Sequence, residues 1–180
     1  MLDPRQAVLL VVDVQGKLAQ LMHEKEALFD ALVRLVKGAR VLRIPILWLE
    51  QNPKGLGPTI PEIAGAMPEG LSPIPKMSFS CCGEPRFLEA LLATGRRQVL
   101  LCGIEAHICV YQTAMDLKER GCEVHVVADA VSSRKPFSRD VALMKLGRGG
   151  IQLTTVEMAL FEMLGVAEGP EFKEIVRIVK

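Results

Sequence analysis

Aromatic side chains are scarce in this 180-residue chain, which has one Trp, one Tyr and six Phe. Proteins that hold single-stranded nucleic acid stack its bases on aromatic rings and neutralise its phosphates with clustered cations. A formal net charge of only +1 supplies no such field. We therefore expect no nucleic-acid partner, and the same charge balance gives little attraction to an anionic membrane surface.

Long hydrophobic runs and metal-binding patterns are missing too. No apolar stretch approaches the roughly 18 residues of a transmembrane helix, and residues 1–5 lack the pattern of a signal peptide. The five cysteines are an odd number with no C-x-x-C pair, and the three histidines are scattered. These patterns fit neither a disulfide framework nor a zinc site. We expect a cytoplasmic protein with no membrane partner, no metal and no other cofactor.

The residues that are present have the composition of a globular domain, 49% apolar and 24% charged. No repeat or linker interrupts the chain, so residues 1–180 are predicted to form one domain. Short apolar runs alternate with longer helical patterns, which indicates parallel βαβ units. The predicted strands are 7–14, 44–50, 98–102, 123–128 and 151–153. The predicted helices are 24–42, 84–93, 106–120, 138–146, 156–164 and one after Pro170.

Three segments carry more detailed expectations. Segment 51–75 is rich in Pro and Gly and too long for a simple connector, so it is predicted to be functional or covering. Thr154 and Glu157 have the spacing of a capping box at the start of helix 156–164. The last helix has an apolar stripe that either packs on its own domain or forms a subunit interface; its residues are Phe172, Ile175, Val176 and Val179.

Functional sites of open parallel sheets form at the carboxyl ends of the strands. Asp13 follows six consecutive apolar residues, so burial should raise the pKa of its carboxyl toward the value that a general base needs. A strand-end carboxylate serves equally well as a cap or turn acceptor. The same rule selects Gln15 after the first strand and a set of polar residues after the other strands: Glu50, Gln51, Asn52, Glu105, His107, Cys109 and Asp129.

Cys109 is predicted to lie in the first turn of a helix, where free backbone N–H groups and the helix dipole favour a thiolate. The same N–H groups are suited to hold the oxyanion that a nucleophilic attack creates. The alternative is a small buried residue, the usual role of a free cysteine. His107 is a poor partner for Cys109, because side chains two residues apart on a helix point in different directions.

The remaining thiols and one lysine need separate interpretations. Cys102 and Cys122 are interpreted as structural, whereas Cys81 and Cys82 are predicted to be accessible thiols in a loop. Most lysines are solvated, but Lys76 lies in a proline-bounded and partly apolar stretch. A lysine held near a cysteine there would favour the thiolate.

Four stretches resemble the isochorismatase-like cysteine hydrolase superfamily: VVDVQ at 11–15, PKMSFS at 75–80, GIEAHICV at 103–110 and VADAVSSR at 127–134. Together with EQNPKGLG at 50–57 they are most similar to the subgroup called isochorismatase domain-containing proteins. The resemblance implies a three-layer α/β/α sandwich around a mainly parallel six-stranded sheet. It also implies a catalytic set of Asp13, Lys76 and Cys109, and a cis peptide at or near Ile104–Glu105 beside an oxyanion hole.

By this resemblance, Cys109 attacks an amide or ureido carbonyl, Asp13 carries protons and Lys76 stabilises the charges. The metal motif of nicotinamidase-like members is replaced here by residues 50–53, so neither that metal site nor nicotinamide specificity carries over. Glu105, Gln15 and Phe79 are predicted to form the pocket wall, and Glu105 is expected to disfavour anionic substrates.

The resulting hypothesis is a hydrolase of a C–N bond in a small molecule, acting through a thioacyl intermediate and forming a homo-oligomer. Two alternatives stay open. One is an interaction module that has kept the fold and lost turnover. The other is a redox-responsive thiol protein, which needs a resolving cysteine that can approach Cys109.

Overall fold

The computed structural model describes residues 1–180, and its centre is a six-stranded sheet with the order β3-β2-β1-β4-β5-β6. Every neighbouring pair of strands is parallel. The strands are β1 (Ala7–Val12), β2 (Ile46–Gln51), β3 (Ile74–Lys76), β4 (Gln98–Ile104), β5 (Glu123–Ser132) and β6 (Gln152–Thr154).

Nine α-helices surround the sheet: α1 (Gly16–Gln20), α2 (Lys25–Val41), α3 (Pro53–Leu56), α4 (Pro61–Ala64), α5 (Pro85–Ala93), α6 (Tyr111–Glu119), α7 (Pro136–Arg148), α8 (Val156–Leu164) and α9 (Gly169–Val179). A 3₁₀ turn spans Cys81–Gly83, and a wide π-type turn spans Ala106–Val110 between β4 and α6. None of the helices combines the length and the apolar character that crossing a membrane requires.

The alternation of side chains along β1 divides the core into two layers. Leu9 and Val11 join the cluster that packs under α2, α8 and α9, whereas Val8, Leu10 and Val12 join the cluster under α5, α6 and α7. Because β1 is buried on both faces, its sequence is continuously apolar. The predicted three-layer α/β/α sandwich around a parallel sheet is confirmed.

Segment 51–75, predicted to be a functional or covering segment, contains α3, α4 and most of the edge strand β3. Three residues that include a proline give no periodic signal, which is why the sequence did not predict this strand.

The predicted cap of α8 is also wrong by one residue. Thr155, not Thr154, is the N-cap, and its hydroxyl accepts the Met158 N–H at 3.2 Å.

The apolar stripe of α9 packs on the domain's own core, as the simpler interpretation held. Ile175 is fully buried, and the Arg34 guanidinium of α2 donates to the Val179 carbonyl at 2.9 Å.

Strand β5 is longer than predicted because it bulges away from β4. Leu101 pairs with Val126, but Gly103 pairs with Val131. An advance of two residues along β4 therefore corresponds to an advance of five residues along β5. Gly103 has a φ of +114° and lies so close to Val12 that a Cβ would overlap the backbone. The extra length carries Arg134 to the carboxyl edge of the sheet.

Candidate active site

Three elements deliver the predicted catalytic residues to one edge of the sheet. Asp13 directly follows β1 and adopts a left-handed backbone conformation with φ +57°. Lys76 is the last residue of β3, and Cys109 lies in the π-type turn after β4. The carboxyl ends of parallel strands meet at the same edge, so residues far apart in sequence come together here.

Lys76 is fully enclosed, and its ammonium is surrounded by oxygen atoms. Nζ lies 2.7 Å from Asp13 Oδ2 and 2.7 Å from Gln51 Oε1. The backbone carbonyls of Ser78 and Phe79 lie 3.1 Å from the same nitrogen. The Lys76 and Asp13 side chains are 0% and 2% exposed. This is a buried, well-satisfied ion pair, and removal of either partner would leave the other charge uncompensated.

The second carboxylate oxygen of Asp13 is free. Oδ1 is buried and has no hydrogen-bond partner in the protein. Burial raises the pKa of the Asp13 carboxyl above its ordinary value, while the Lys76 charge and the Cys109 thiol oppose this rise. The raised pKa predicted for Asp13 is confirmed. A buried acceptor of this kind is suited to take a proton from a neighbouring group.

The Cys109 thiol lies beside this pair and is only 7% exposed. Burial raises the pKa of Cys109 to about 12; the Asp13 charge adds to the rise and the Lys76 charge opposes it. The expectation that the helix start leaves a thiolate is therefore wrong for the free protein. Burial is the largest cause of this shift, so the thiol is protonated at neutral pH and needs a base when it reacts.

A cavity of about 240 Å³ opens over the thiol. Glu105 and Phe79 line it, as predicted for the pocket wall, but Gln15 does not. Gln15 is fully buried; its amide donates to the carbonyls of Gln51 and Gly57 and accepts the Gln51 N–H at 2.7 Å. It fastens the loop after β1 to the end of β2. The lining residues are Asp13, Leu18, Gln51, Leu56, Phe79, Ile104, Glu105, Ile108, Cys109 and Arg134.

Arg134 is a lining residue that the strand-end rule did not select. Its backbone N–H donates to Glu105 Oε2 at 2.9 Å, and its Nε lies 3.2 Å from both carboxylate oxygens. Glu105, which accepts these bonds, follows a cis peptide bond between Ile104 and Glu105. The only signal for Arg134 was its place at the end of the family-like stretch 127–134. The bulge in β5 that brings it to the site cannot be read from periodicity.

Comparison with known proteins gives a consistent result. The family model of the isochorismatase domain matches residues 7–158. The chain belongs to the isochorismatase family. Isochorismatase domain-containing protein 2 of Danio rerio is 42% identical over 178 residues, which are 99% of this chain and 89% of the relative.

Two solved structures of isochorismatase-fold relatives superpose closely. The MAR1 ribonuclease from Caenorhabditis elegans has a TM-score of 0.93 and 39% identity, with 99% of this chain and 91% of that chain covered. The YcaC gene product of Escherichia coli, described as an octameric hydrolase of unknown specificity, has a TM-score of 0.91 and 25% identity. That match covers 98% of this chain and 88% of the relative.

Several other polar residues selected by the strand-end rule in this isochorismatase-family chain lie outside the cavity lining and form hydrogen bonds that support the fold. Glu50 accepts the N–H and the hydroxyl of Thr59, at 2.6 and 2.8 Å. Asp129 accepts the Val156 N–H and so caps α8. His107 Nδ1 lies 2.9 Å from the Ser133 hydroxyl. These side chains hold loops and helix ends, which is the alternative role of strand-end polar residues.

The other cysteines differ in environment from Cys109. Cys81 and Cys82 are buried, at 0% and 6% exposure, so the prediction of accessible loop thiols is wrong. Burial raises the pKa of both thiols, which disfavours the thiolate that disulfide exchange requires. Cys102 is buried in β4 and donates weakly to the Leu10 carbonyl, as its structural interpretation implies. No group of three His, Cys, Asp or Glu side chains is placed to hold a metal ion.

Proposed function

We propose that this protein is a cysteine hydrolase that cleaves a C–N bond of a small amide or ureido substrate through a thioacyl intermediate. The observation that carries the proposal is the buried Asp13 carboxylate at the Cys109 cavity: its Oδ2 lies 2.7 Å from Lys76 Nζ, and its Oδ1 has no hydrogen-bond partner in the protein. A base, a cation and a nucleophile at one cavity form the arrangement that nucleophilic acyl transfer requires.

In the first step, Sγ of Cys109 bonds to the substrate carbonyl carbon while its proton passes to Asp13. The carbonyl oxygen becomes an oxyanion, and we assign its stabilisation to backbone N–H groups at the start of the Ala106–Val110 turn. The C–N bond then breaks, and Asp13 returns the proton to the departing amine. Because the thiol pKa is raised, proton transfer to Asp13 accompanies the attack instead of preceding it.

In the second step, water attacks the thioacyl carbon and Asp13 takes one of the water protons. The C–S bond breaks, the proton passes to Sγ, and a carboxylic acid leaves with the thiol restored. The Lys76 ammonium stabilises the negative charge that moves between Asp13 and Sγ. A ureido substrate would give the corresponding carbamic acid.

The experiment is acyl trapping on a panel of small amides and ureido compounds, followed by intact-protein mass spectrometry. The expected result is an adduct on Cys109 that Cys109→Ala abolishes, with release of the amine. Absence of an adduct across a broad panel would contradict the hydrolase and favour an interaction module that keeps the fold without turnover.

A second candidate, cleavage of RNA, is raised by the description of the Caenorhabditis elegans relative as a ribonuclease. The net charge of +1 and the 240 Å³ cavity argue against a polyanionic substrate. Incubation of RNA with the wild-type protein and with Cys109→Ala separates the candidates. Cleavage that depends on Cys109 would replace the amide proposal.

We also propose that the protein forms a homo-oligomer, because the Escherichia coli relative is described as octameric. Several large apolar side chains are available for an interface, among them Met77, Leu92 and Phe137, which are 72%, 82% and 77% exposed. Light scattering coupled to size-exclusion chromatography measures the mass directly, and a monomer at micromolar concentration would contradict this proposal.

A further inference from the structure

Glu105 and Arg134 form an ion pair in the wall of the Cys109 cavity. The Glu105 carboxylate is 5% exposed and receives every one of its hydrogen bonds from Arg134, through the backbone N–H and Nε. The Arg134 side chain is 55% exposed, and its Nη1 and Nη2 groups have no partner in the protein. One edge of the guanidinium is therefore occupied by Glu105, and the other edge is free.

The charges of the cavity cancel in two pairs. Asp13 is neutralised by Lys76 behind it, and Glu105 is neutralised by Arg134. A carboxylate that entered the cavity would bring a net negative charge close to Asp13 and Glu105, where little water is left to screen it. An uncharged carbonyl adds no charge, and in the proposed site it would accept a hydrogen bond from the guanidinium of Arg134, a residue that lines the cavity.

The rest of the lining favours a small and largely apolar molecule. Five apolar side chains surround the thiol: Leu18, Leu56, Phe79, Ile104 and Ile108. The volume of about 240 Å³ lies below the roughly 300–1,000 Å³ of pockets for drug-sized ligands. The site is therefore matched to a compact molecule with an apolar body and one or two carbonyl acceptors.

We propose that the Glu105–Arg134 pair makes this cavity select a compact, uncharged amide and reject an anionic one. Glu105 acts by cancelling the charge of Arg134 and by fixing which edge of the guanidinium faces the ligand. The inference rests on the proposed function, since it names the substrate class of the same site, but its test requires no turnover.

The test compares two alkylating reagents that differ only in charge, iodoacetamide and iodoacetate. In both reactions Sγ of Cys109 bonds to the methylene carbon, iodide leaves and the thiol proton is released. Second-order rates at Cys109 are measured by peptide mapping, and their ratio is divided by the ratio for a small free thiol. In the wild-type protein this normalised ratio is expected to favour iodoacetamide.

The two single variants are expected to move the ratio in opposite directions. Glu105→Gln keeps the size and the acceptor oxygen but leaves Arg134 uncompensated, so the preference for iodoacetamide should fall on the order of tenfold. Arg134→Gln leaves Glu105 uncompensated, so the preference should rise severalfold. The double variant restores a neutral cavity and should return to within about threefold of wild type.

A merely structural role would change both reagents together and would not produce opposite signs. An unchanged ratio in Glu105→Gln, or a shift of both single variants in the same direction, would overturn the inference. If Glu105→Gln does not fold, the half-exposed Arg134→Gln decides the question by the sign of its effect. If no acyl adduct forms but the alkylation ratios change as expected, the proposed hydrolase function would be contradicted. The inference that the cavity selects ligands by charge would still hold.

Discussion

Two cavities of this protein differ in how their polar groups are used. The larger one, about 320 Å³, lies between α2, β5 and the start of α8 and is called here the α2–β5 cleft. Except for the exposed Glu157, its charged side chains already have partners. Arg34 binds Asp30 and the Val179 carbonyl, and Arg139 donates to the carbonyls of Ala128 and Val131.

In the smaller Cys109 cavity, by contrast, a polar atom of the lining lacks a hydrogen-bond partner. One of its two lining carboxylates, Asp13, keeps a buried oxygen, Oδ1, without a hydrogen-bond partner in the protein. An unsatisfied buried acceptor costs free energy of about 1–3 kcal/mol, so a fold that keeps one beside a thiol has a use for it. If the proposed function is right, cavity volume points to the wrong place in this molecule, and unsatisfied hydrogen-bonding capacity points to the chemistry.

Replacement of the thiol itself should sharpen this contrast most. Cys109→Ser keeps the side-chain shape but supplies a far weaker nucleophile, so turnover should fall by on the order of 10⁴-fold or more. The matched control is Cys102→Ser, the same change at a buried thiol in β4, which should keep the acyl adduct. Turnover of Cys109→Ser within tenfold of wild type would contradict the nucleophile assignment.

Asp13→Asn should separate proton transfer from thiol activation. Loss of the base should lower turnover by about 10²–10⁴-fold. The Asp13 charge is one cause of the raised Cys109 pKa, so its removal should lower the thiol pKa from about 12. Thiolate absorbance and turnover, measured on the same variant, should therefore move in opposite directions. Undiminished turnover would show that Asp13 is not the proton carrier.

The wild-type pH profile follows from the same assignment. Asp13 must be ionised to accept a proton, so acylation should rise as the pH rises through the raised pKa of this carboxyl. It should then level off, because the thiol ionises only near pH 12. A rate that instead increases steadily up to the thiol pKa would indicate that Asp13 takes no part.

Lys76→Met should affect both stability and turnover. It leaves Asp13 buried without its cation, which should destabilise the fold by about 3 kcal/mol at pH 8. The folded-state pKa of Asp13 is already above its unfolded value, so the contribution of Asp13 to stability is full in acid and is lost as the pH rises. Without Lys76 this pKa should rise further, so denaturant unfolding should show a larger deficit at pH 8 than at pH 5. An equal deficit at both pH values would contradict the ion-pair account.

Gln51→Leu should give a smaller effect at the same cluster. Gln51 Oε1 accepts from Lys76 at 2.7 Å, but Lys76 keeps Asp13 and two carbonyl partners. The substitution removes this hydrogen bond to a charged group and the exposed one from Gln51 Nε2 to the Met77 carbonyl, which should together cost about 1.5–3 kcal/mol in denaturant unfolding. Turnover should fall on the order of tenfold, since Lys76 is less firmly held. A stability loss larger than that of Lys76→Met would mean that Gln51, not the ion pair, organises the cluster.

The sequence predicted the parts of this fold that depend on local pattern. Continuous apolar runs located β1, β2 and β4, and the strand-end rule selected Asp13 and Cys109 without any knowledge of the family. The same rule selected Glu50 and Asp129 equally, because a carboxylate after a strand caps a neighbouring element as readily as it does chemistry.

The remaining parts depend on tertiary context. Lys76 was found mainly through the family resemblance, because its strand is three residues long. Arg134 reaches the cavity only through the bulge of β5. The direction of the Cys109 pKa shift was wrong because burial, which depends on the tertiary packing around the thiol, raises this pKa.

The weakest expected effect belongs to the α2–β5 cleft. Glu157 lines that cleft and is exposed in the first turn of α8, so Glu157→Gln should change stability by no more than about 0.5 kcal/mol. Turnover and the iodoacetamide rate at Cys109 should stay within about twofold of wild type, because the carboxylate holds no partner of the Asp13–Lys76–Cys109 cluster. A tenfold loss of turnover with an unchanged alkylation rate would show that the cleft binds part of the substrate. The two cavities would then form one site, and unsatisfied hydrogen-bonding capacity alone would no longer locate the chemistry.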